Sequence, residues 1–203
     1  MEWFSTISLA LGTAWTSGIN LYATVAVLGL LQKVGATKLP GGLDVIDNWW
    51  IIGIAIGLYL VEFFADKIPY VDSVWDVVHT FIRVPAGAVV AYAATNQMDP
   101  TVYVVATLAG GGLAFASHGT KAAARIGANV SPEPFSNWSL SIIEDIIAFV
   151  GTLVAVFAPF IIAIILCVFV IVFIWLFPKV VRSFFRMFRW VGAFATGKSY
   201  SGA

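Results

Sequence analysis

The chain is poor in charge. Of its 203 residues, 11% are Asp, Glu, Lys or Arg and 60% are hydrophobic, with a mean hydropathy of +0.93, whereas a soluble domain carries about 25% charged residues. That shortage excludes an ordinary soluble domain and leaves an integral membrane protein whose first partner is the lipid bilayer. A membrane span takes about 20 mostly apolar residues, so about six spans fill the chain. Eleven acids balance eleven bases, so the basic footprint of a nucleic-acid binder is missing and no such partner is expected. Cysteine is nearly missing too. Cys167, alone within "FIIAIILCVFVIVFIWLF", excludes an intramolecular disulfide and a thiolate metal cluster and reads as a small packed or lipid-facing residue. The start, "MEWFSTISLALG", has neither a basic n-region nor a small-residue cleavage site, so the first apolar stretch is expected to be retained.

The sequence has long apolar runs in abundance. Hydropathy places spans near 6–31, 49–65, 71–96, 101–126, 138–157 and 159–177, and predicts an all-α polytopic membrane helix bundle. The one long connection, "QKVGATKLPGGLDVIDN", turns at Pro40, Gly41 and Gly42. "TSGIN" at 16–20, "VPAGA" at 84–88 and "LAGGGLA" at 108–114 put glycine, proline and small polar residues at mid-span depth. Several interrupted helices are expected there, with close packing through small residues as the plain alternative. A weak internal repeat lays "SGINLYAT" at 17–24 on "SHGTKAAA" at 117–124, and "IPYVDSVWDVV" at 68–78 on "EPFSNWSLSII" at 133–143.

Two parts are expected: a transmembrane helical domain over 1–178, and a basic amphipathic cytoplasmic helix and tail over 179–203. In the second, Lys179, Arg182, Arg186 and Arg189 alternate with Phe184, Phe185, Phe188 and Trp190, a pattern that suits an anionic membrane face. By the positive-inside rule the connections near Lys67 and Arg125 are then cytoplasmic and "NQMDP" is outside. Lys33 and Lys38 run against that assignment. With six spans the N-terminus is also cytoplasmic.

The few charges are arranged in stripes. At 100° per residue, Asp72, Asp76, His79 and Arg83 fall within an arc of about 60°. His118, Lys121 and Arg125 form a basic stripe on the fourth span, continuing a small-residue face of Thr107, Gly111 and Ala114. On the fifth, Glu144 shares a face with Asn137, Ser141, Ala148, Gly151 and Ala155, and Asp145 sits beside it. The first span shows Thr13, Thr16, Asn20 and Thr24 on one face, with Ser17 nearby, and the second ends with Glu62 and Asp66 a turn apart. An ionised group at mid-span costs roughly 2.5 to 3.5 kcal/mol on insertion scales, so these groups are expected to face one another around a shared polar interior. Buried salt bridges that only fix helix register are the plain alternative. Both histidines lie on the stripes, and histidine changes charge near neutral pH. Asp66, Lys67 and Asp72 flank the Pro69-Tyr70 turn and also suit solvated loop charges and caps; "SPEPFSNWS" at 131–139 suits a turn and helix cap, with Tyr70, Trp75, Phe135 and Trp138 as interfacial aromatics.

With those residues named, the chain resembles the bacterial membrane proteins of domain of unknown function 4126. The resemblance is carried by "SGINLYATV", "YLVEFFADKIPYVDSVWDVVHTFIRVPAGA", "ASHGTKAAAR" and "SPEPFSNWSLSIIEDI", covering about residues 10–157 and little of the last helix and tail. It implies a multi-pass protein of the cell inner membrane and supplies neither substrate nor mechanism.

The functional expectation is a transporter or channel for a small ion or polar solute, with proton coupling open to it through the two histidines. Its pathway residues are Ser17, Asn20, Glu62, Asp66, Asp72, Asp76, His79, Arg83, His118, Lys121, Arg125, Glu144 and Asp145. No cofactor and no resident metal are expected, since no paired-histidine motif is present. A homo-oligomer is expected from the small-residue strips. The alternatives are a membrane scaffold or assembly protein held by structural salt bridges, and an intramembrane enzyme or lipid-phosphate handling protein using Ser117 and Lys121 as nucleophile and base. Of these, the enzyme is the least favoured.

Overall fold

A computed structural model describes residues 2–68, 70–129 and 134–195. All regular structure among them is helical: α1 (Glu2–Lys33), a short 3-10 helix (Gly41–Asp47), α2 (Trp49–Ala65), α3 (Val71–Thr95), α4 (Pro100–Asn129), α5 (Pro134–Phe157) and α6 (Pro159–Ala195). The protein is thus an all-α polytopic bundle. By length and composition five helices suffice to cross a membrane, α1, α3, α4, α5 and the Pro159–Ser183 stretch of α6. The short helix and α2, bent by 76° at their junction, bring the number to as many as six if taken together.

Contacts change the reading of α1. Asn20 adopts an extended conformation, φ −146° and ψ 99°, inside it. Its side-chain Oδ1 accepts a hydrogen bond from the backbone N–H of Ala23 at 2.9 Å, the geometry of an N-cap. A new helix therefore starts at Asn20, and it runs back the way the first half came. The first half descends along α3 and α4: Ala14 lies beside Gly87 and Gly110, and the Ser117 hydroxyl donates to the Trp15 carbonyl. After the break, Gly29 lies against Ile46 and Ile52, Gln32 donates to the Asp44 carbonyl, and the short helix reaches Ala93 and Asn96 at the C-terminal end of α3 through Gly41. A straight α1 would carry Gln32 about 27 Å beyond Ala14, toward the opposite end of α3. Leu9 and Leu28, which a straight helix would hold about 28 Å apart, instead share one apolar cluster with Leu39, Leu43, Ala91 and Ala94. So α1 folds back on itself at Asn20 as a hairpin, and its two ends lie toward the same end of the bundle.

The chain divides into two compact units, Met1–Leu166 and Cys167–Ala203. In the first, α3 to α5 surround the hairpin, α2 runs antiparallel to its second half, and Ile162 at the start of α6 packs on Gly12. The C-terminal ends of α2 and α4 and the N-terminal ends of α3 and α5 lie at one face; both ends of α1, the 34–48 connection and residues 96–99 lie at the other. Exposed Trp3, Trp49 and Trp50 mark the second face, and Tyr70, Phe135 and Trp138 the first, as interfacial aromatics do. Trp75 departs from that group and stacks on His79, with ring centroids 4.3 Å apart.

Of the three expected interruptions only "TSGIN" is one. α3 runs through Pro85, and α4 through Gly110 and Gly111, as continuous helices. Their small residues serve close approach, since a Cβ on Gly110 would overlap Ala91 and one on Gly87 would overlap Ala114. The repeat fails at the same place: 17–24 contains a break and 117–124 is unbroken helix.

In the second unit α6 continues through Pro178 to Ala195 without a separate basic helix. Phe169, Phe173 and Phe177 stack along it, Lys179 covers the Trp175 ring, and Cys167 is exposed. The side chains of Phe184, Phe185, Phe188, Arg189 and Trp190 lie outside the described residues, as do Ser131, Pro132 and Glu133 of the expected cap.

Candidate functional site

Lys121 sits at the centre of the charged residues. It projects from the buried face of α4, and its Nζ lies 3.1 Å from Glu62, 3.0 Å from Asp66, 3.8 Å from Asp76 and 3.7 Å from Glu144. It also donates to the Ile19 carbonyl at 3.3 Å, the last carbonyl before the hairpin break. One turn toward the near face, Arg125 grips Glu144 through Nε and Nη2, and binds the Asp66 carboxylate at 2.9 Å and the Asp66 backbone carbonyl at 2.6 Å. Asp72 lies 3.7 Å from the same guanidinium. In the other direction, Arg83 of α3 pairs with Glu62 at 2.5 Å and with Asp76 at 3.5 Å.

The expected stripes thus meet. Counting 1.5 Å per residue along α4, Arg125 lies about 6 Å, Lys121 about 12 Å and His118 about 16 Å from its C-terminal end, a ladder along one half of the helix. Above it, the small-residue seam of Ala14, Gly87, Ala91, Gly110 and Ala114 closes the rest of the bundle.

The hairpin break caps the ladder. The first half-helix ends on the ammonium of Lys121; the second begins at Asn20, whose Nδ2 donates to Asp145 Oδ1 at 3.0 Å. Positive charge at a helix C-terminus and negative charge at an N-terminus each complement the helix dipole. Residue types at 16–20 make the turn possible: Gly18 lies where a Cβ would overlap Ala114 and Ser117, and Asn20 is a strong N-cap type.

Both histidines are held by neighbours. The guanidinium Nη1 of Arg83 faces His118 Nδ1 at 3.1 Å, and a guanidinium only donates, so Nδ1 accepts. The His118 proton is then on Nε2, which meets Thr80 Oγ1 at 2.8 Å and the Asp76 carbonyl at 3.1 Å. His79 is the other tautomer. Its Nδ1 donates to the Trp75 carbonyl at 2.7 Å, leaving Nε2 against the Tyr22 hydroxyl at 2.9 Å.

Every expected pathway residue is buried. Asp66 and Asp72 are therefore members of the network rather than solvated loop charges; the basic stripe of α4 has drawn them in. Ser17 is the exception in its contacts, for its hydroxyl donates to Ala14 within its own turn, at 2.7 Å. Ser117 and Lys121 do not form a nucleophile and base, since the serine hydroxyl donates to backbone carbonyls while the lysine is ringed by carboxylates. Thr80 and Tyr22, which hold the two histidines, were missed. Thr80 follows Asp76 by four residues, which was the available signal. Lys67, in the connection after α2, donates to the Phe63 carbonyl; partial burial pulls its pKa below the ordinary lysine value, against the opposing pull of Asp145 and Asp66.

A bundle of apolar helices enclosing a re-entrant, broken helix and a buried charge ladder defines a polytopic membrane protein with a polar interior. The chain belongs to the family of domain of unknown function 4126, whose family model matches residues 7–179. That match extends past the motifs into α6, as far as its first basic residue, Lys179. No curated protein and no solved structure matches the chain.

Proposed function

We propose that this protein is a transporter or channel of the bacterial inner membrane for a small polar or ionic solute, with the buried ladder as its pathway. One observation carries the reading: two half-helix ends meet ionisable side chains inside the bundle. Static packing does not require a helix to break in the membrane, whereas a break frees backbone groups and dipole ends to hold a solute. The small-residue seam on one side and the ladder on the other fit a pathway closed at one end. Asp76, Arg83, Lys121, Arg125 and Glu144 would pass or hold the solute, with Asn20 and Asp145 at the closed end. A second copy of the chain would complete the enclosure, giving a homo-oligomer.

Flux in liposomes tests this. Purified protein is reconstituted and a panel of ions and small metabolites is assayed with and without a pH gradient. Flux of one solute class, cut at least tenfold by Lys121→Met or Glu144→Gln in protein that stays folded, is the expected result. If those variants keep full flux and every cellular phenotype, the charges are structural and the scaffold reading replaces this one. The scaffold has its own support, since the ion pairs form one mutually connected network. A monomeric mass for the active protein in detergent would remove the oligomer.

A further inference from the structure

The ladder does not balance its own charge. Six buried carboxyl groups, Glu62, Asp66, Asp72, Asp76, Glu144 and Asp145, face three buried cations, Arg83, Lys121 and Arg125. Lys67 is at the margin and directs its ammonium to Phe63 and Ser141. His118 accepts from Arg83 through Nδ1 and so adds no positive charge; His79 meets a tyrosine hydroxyl instead of a carboxylate. The remaining neighbours, Asn20, Tyr22 and Tyr59, are neutral. An excess of about three negative charges in a low-dielectric interior is too costly to stand uncompensated.

A second, independent observation shows where compensation is missing. Glu62 Oε2, Asp66 Oδ1, Asp76 Oδ2 and Asp145 Oδ2 are each shielded from solvent and have no close hydrogen-bond partner among the described residues. Glu62 and Asp66 hold close ion pairs through their other oxygen. Asp76 has only long ones, at 3.5 and 3.8 Å. Asp145 has no ion pair among the described residues; it accepts from the amide of Asn20, the Tyr59 hydroxyl lies against it, and Lys67 acts on it only at longer range.

A metal ion does not suit these oxygens. Among the described residues no group of three His, Cys, Asp or Glu side chains is arranged to hold one, and the point on which the carboxylates converge is taken by the Lys121 ammonium. A proton needs no coordination shell. We infer that Asp76 and Asp145 are proton-carrying carboxyl groups, and that the ladder loads and releases protons from the face at the C-terminal end of α4, where Arg125 meets Asp66 and Glu144. The step is simple in its balance: each carboxylate takes one proton to become a carboxyl group and returns it, with no electron moved. This deepens the transport reading by naming the coupling ion, and rests on it for its physiological meaning.

Infrared spectroscopy of the full-length protein in lipid tests the inference without relying on flux. At neutral pH the wild type should show the carbonyl stretch of protonated carboxyl groups, shifted in deuterium oxide. Asp76→Asn and Asp145→Asn should each remove a share of that band, and the double variant most of it. A wild-type spectrum in which all six groups are ionised overturns the proposal, whether or not the variants fold. So does a band that keeps its full intensity after both substitutions in folded protein. Protonated carboxyls in a protein that moves no solute would sink the transport reading and leave this one standing.

Discussion

Arg125 is the residue on which the ladder's outer half depends, because among the described cations it is the one paired with all three of Glu144, Asp66 and Asp72. Removing one partner of a buried pair leaves an uncompensated charge and costs about 3–5 kcal/mol. Arg125→Met should therefore lower stability by about that amount, read as a fall in the unfolding transition in detergent. Pairing it with Glu144→Gln should cost less than the sum of the two single changes, since the variants share one network. Equal and additive losses would show that the contact is not energetically coupled. Much of this was legible in advance. Helical spacing put Asp72, Asp76, His79 and Arg83 on one face, and the cost of a charge in lipid required partners for it. Which partner each would take was not legible: Arg83 reaches past Asp76 to Glu62, a choice set by how α2 and α3 pack and by no local spacing.

At the scale of the element, the break in α1 rests on one side chain. Asn20→Ala removes the cap on Ala23 and the amide held by Asp145, and should cost about 0.5–2 kcal/mol for the cap alone. Asn20→Asp keeps the capping oxygen but sets a carboxylate against Asp145. It should be tolerated at acidic pH and destabilising near neutral pH, measured by thermal unfolding across that range. If alanine and aspartate behave alike at every pH, neither contact matters. "TSGIN" advertised a break through its glycine and its Asn, but "LAGGGLA" carries more glycine and does not break. The difference lies in partners. Gly110 is seated against Ala91 and Ala14, so its lack of a side chain goes to packing, whereas Asn20 has a backbone N–H to cap and a carboxylate to hold.

At the scale of the molecule, the hairpin decides sidedness. A crossing α1 would put the N-terminus and the 96–99 connection on opposite faces; a re-entrant α1 puts them together. Single cysteines at Glu2 and Gln97, in a chain with Cys167 replaced by serine, should be labelled by an impermeant thiol reagent from the same side, and a cysteine at Lys67 from the other. Labelling of positions 2 and 97 from opposite sides would restore the crossing helix. Hydropathy could not decide this, because two half-helices of opposite direction have the same composition as one span. The hairpin also bears on how the protein is made. Synthesis begins at the N-terminus, so α1 leaves the ribosome before any helix that surrounds it. Its halves, of about 18 and about 13 residues, are each shorter than the roughly 20 a span requires, and Asn20 would meet lipid with no Asp145 to receive it. Only after the chain has grown past α5 do Lys121 and Asp145 both exist to clasp the two ends. A segment synthesised before its partners is therefore the last to reach its place.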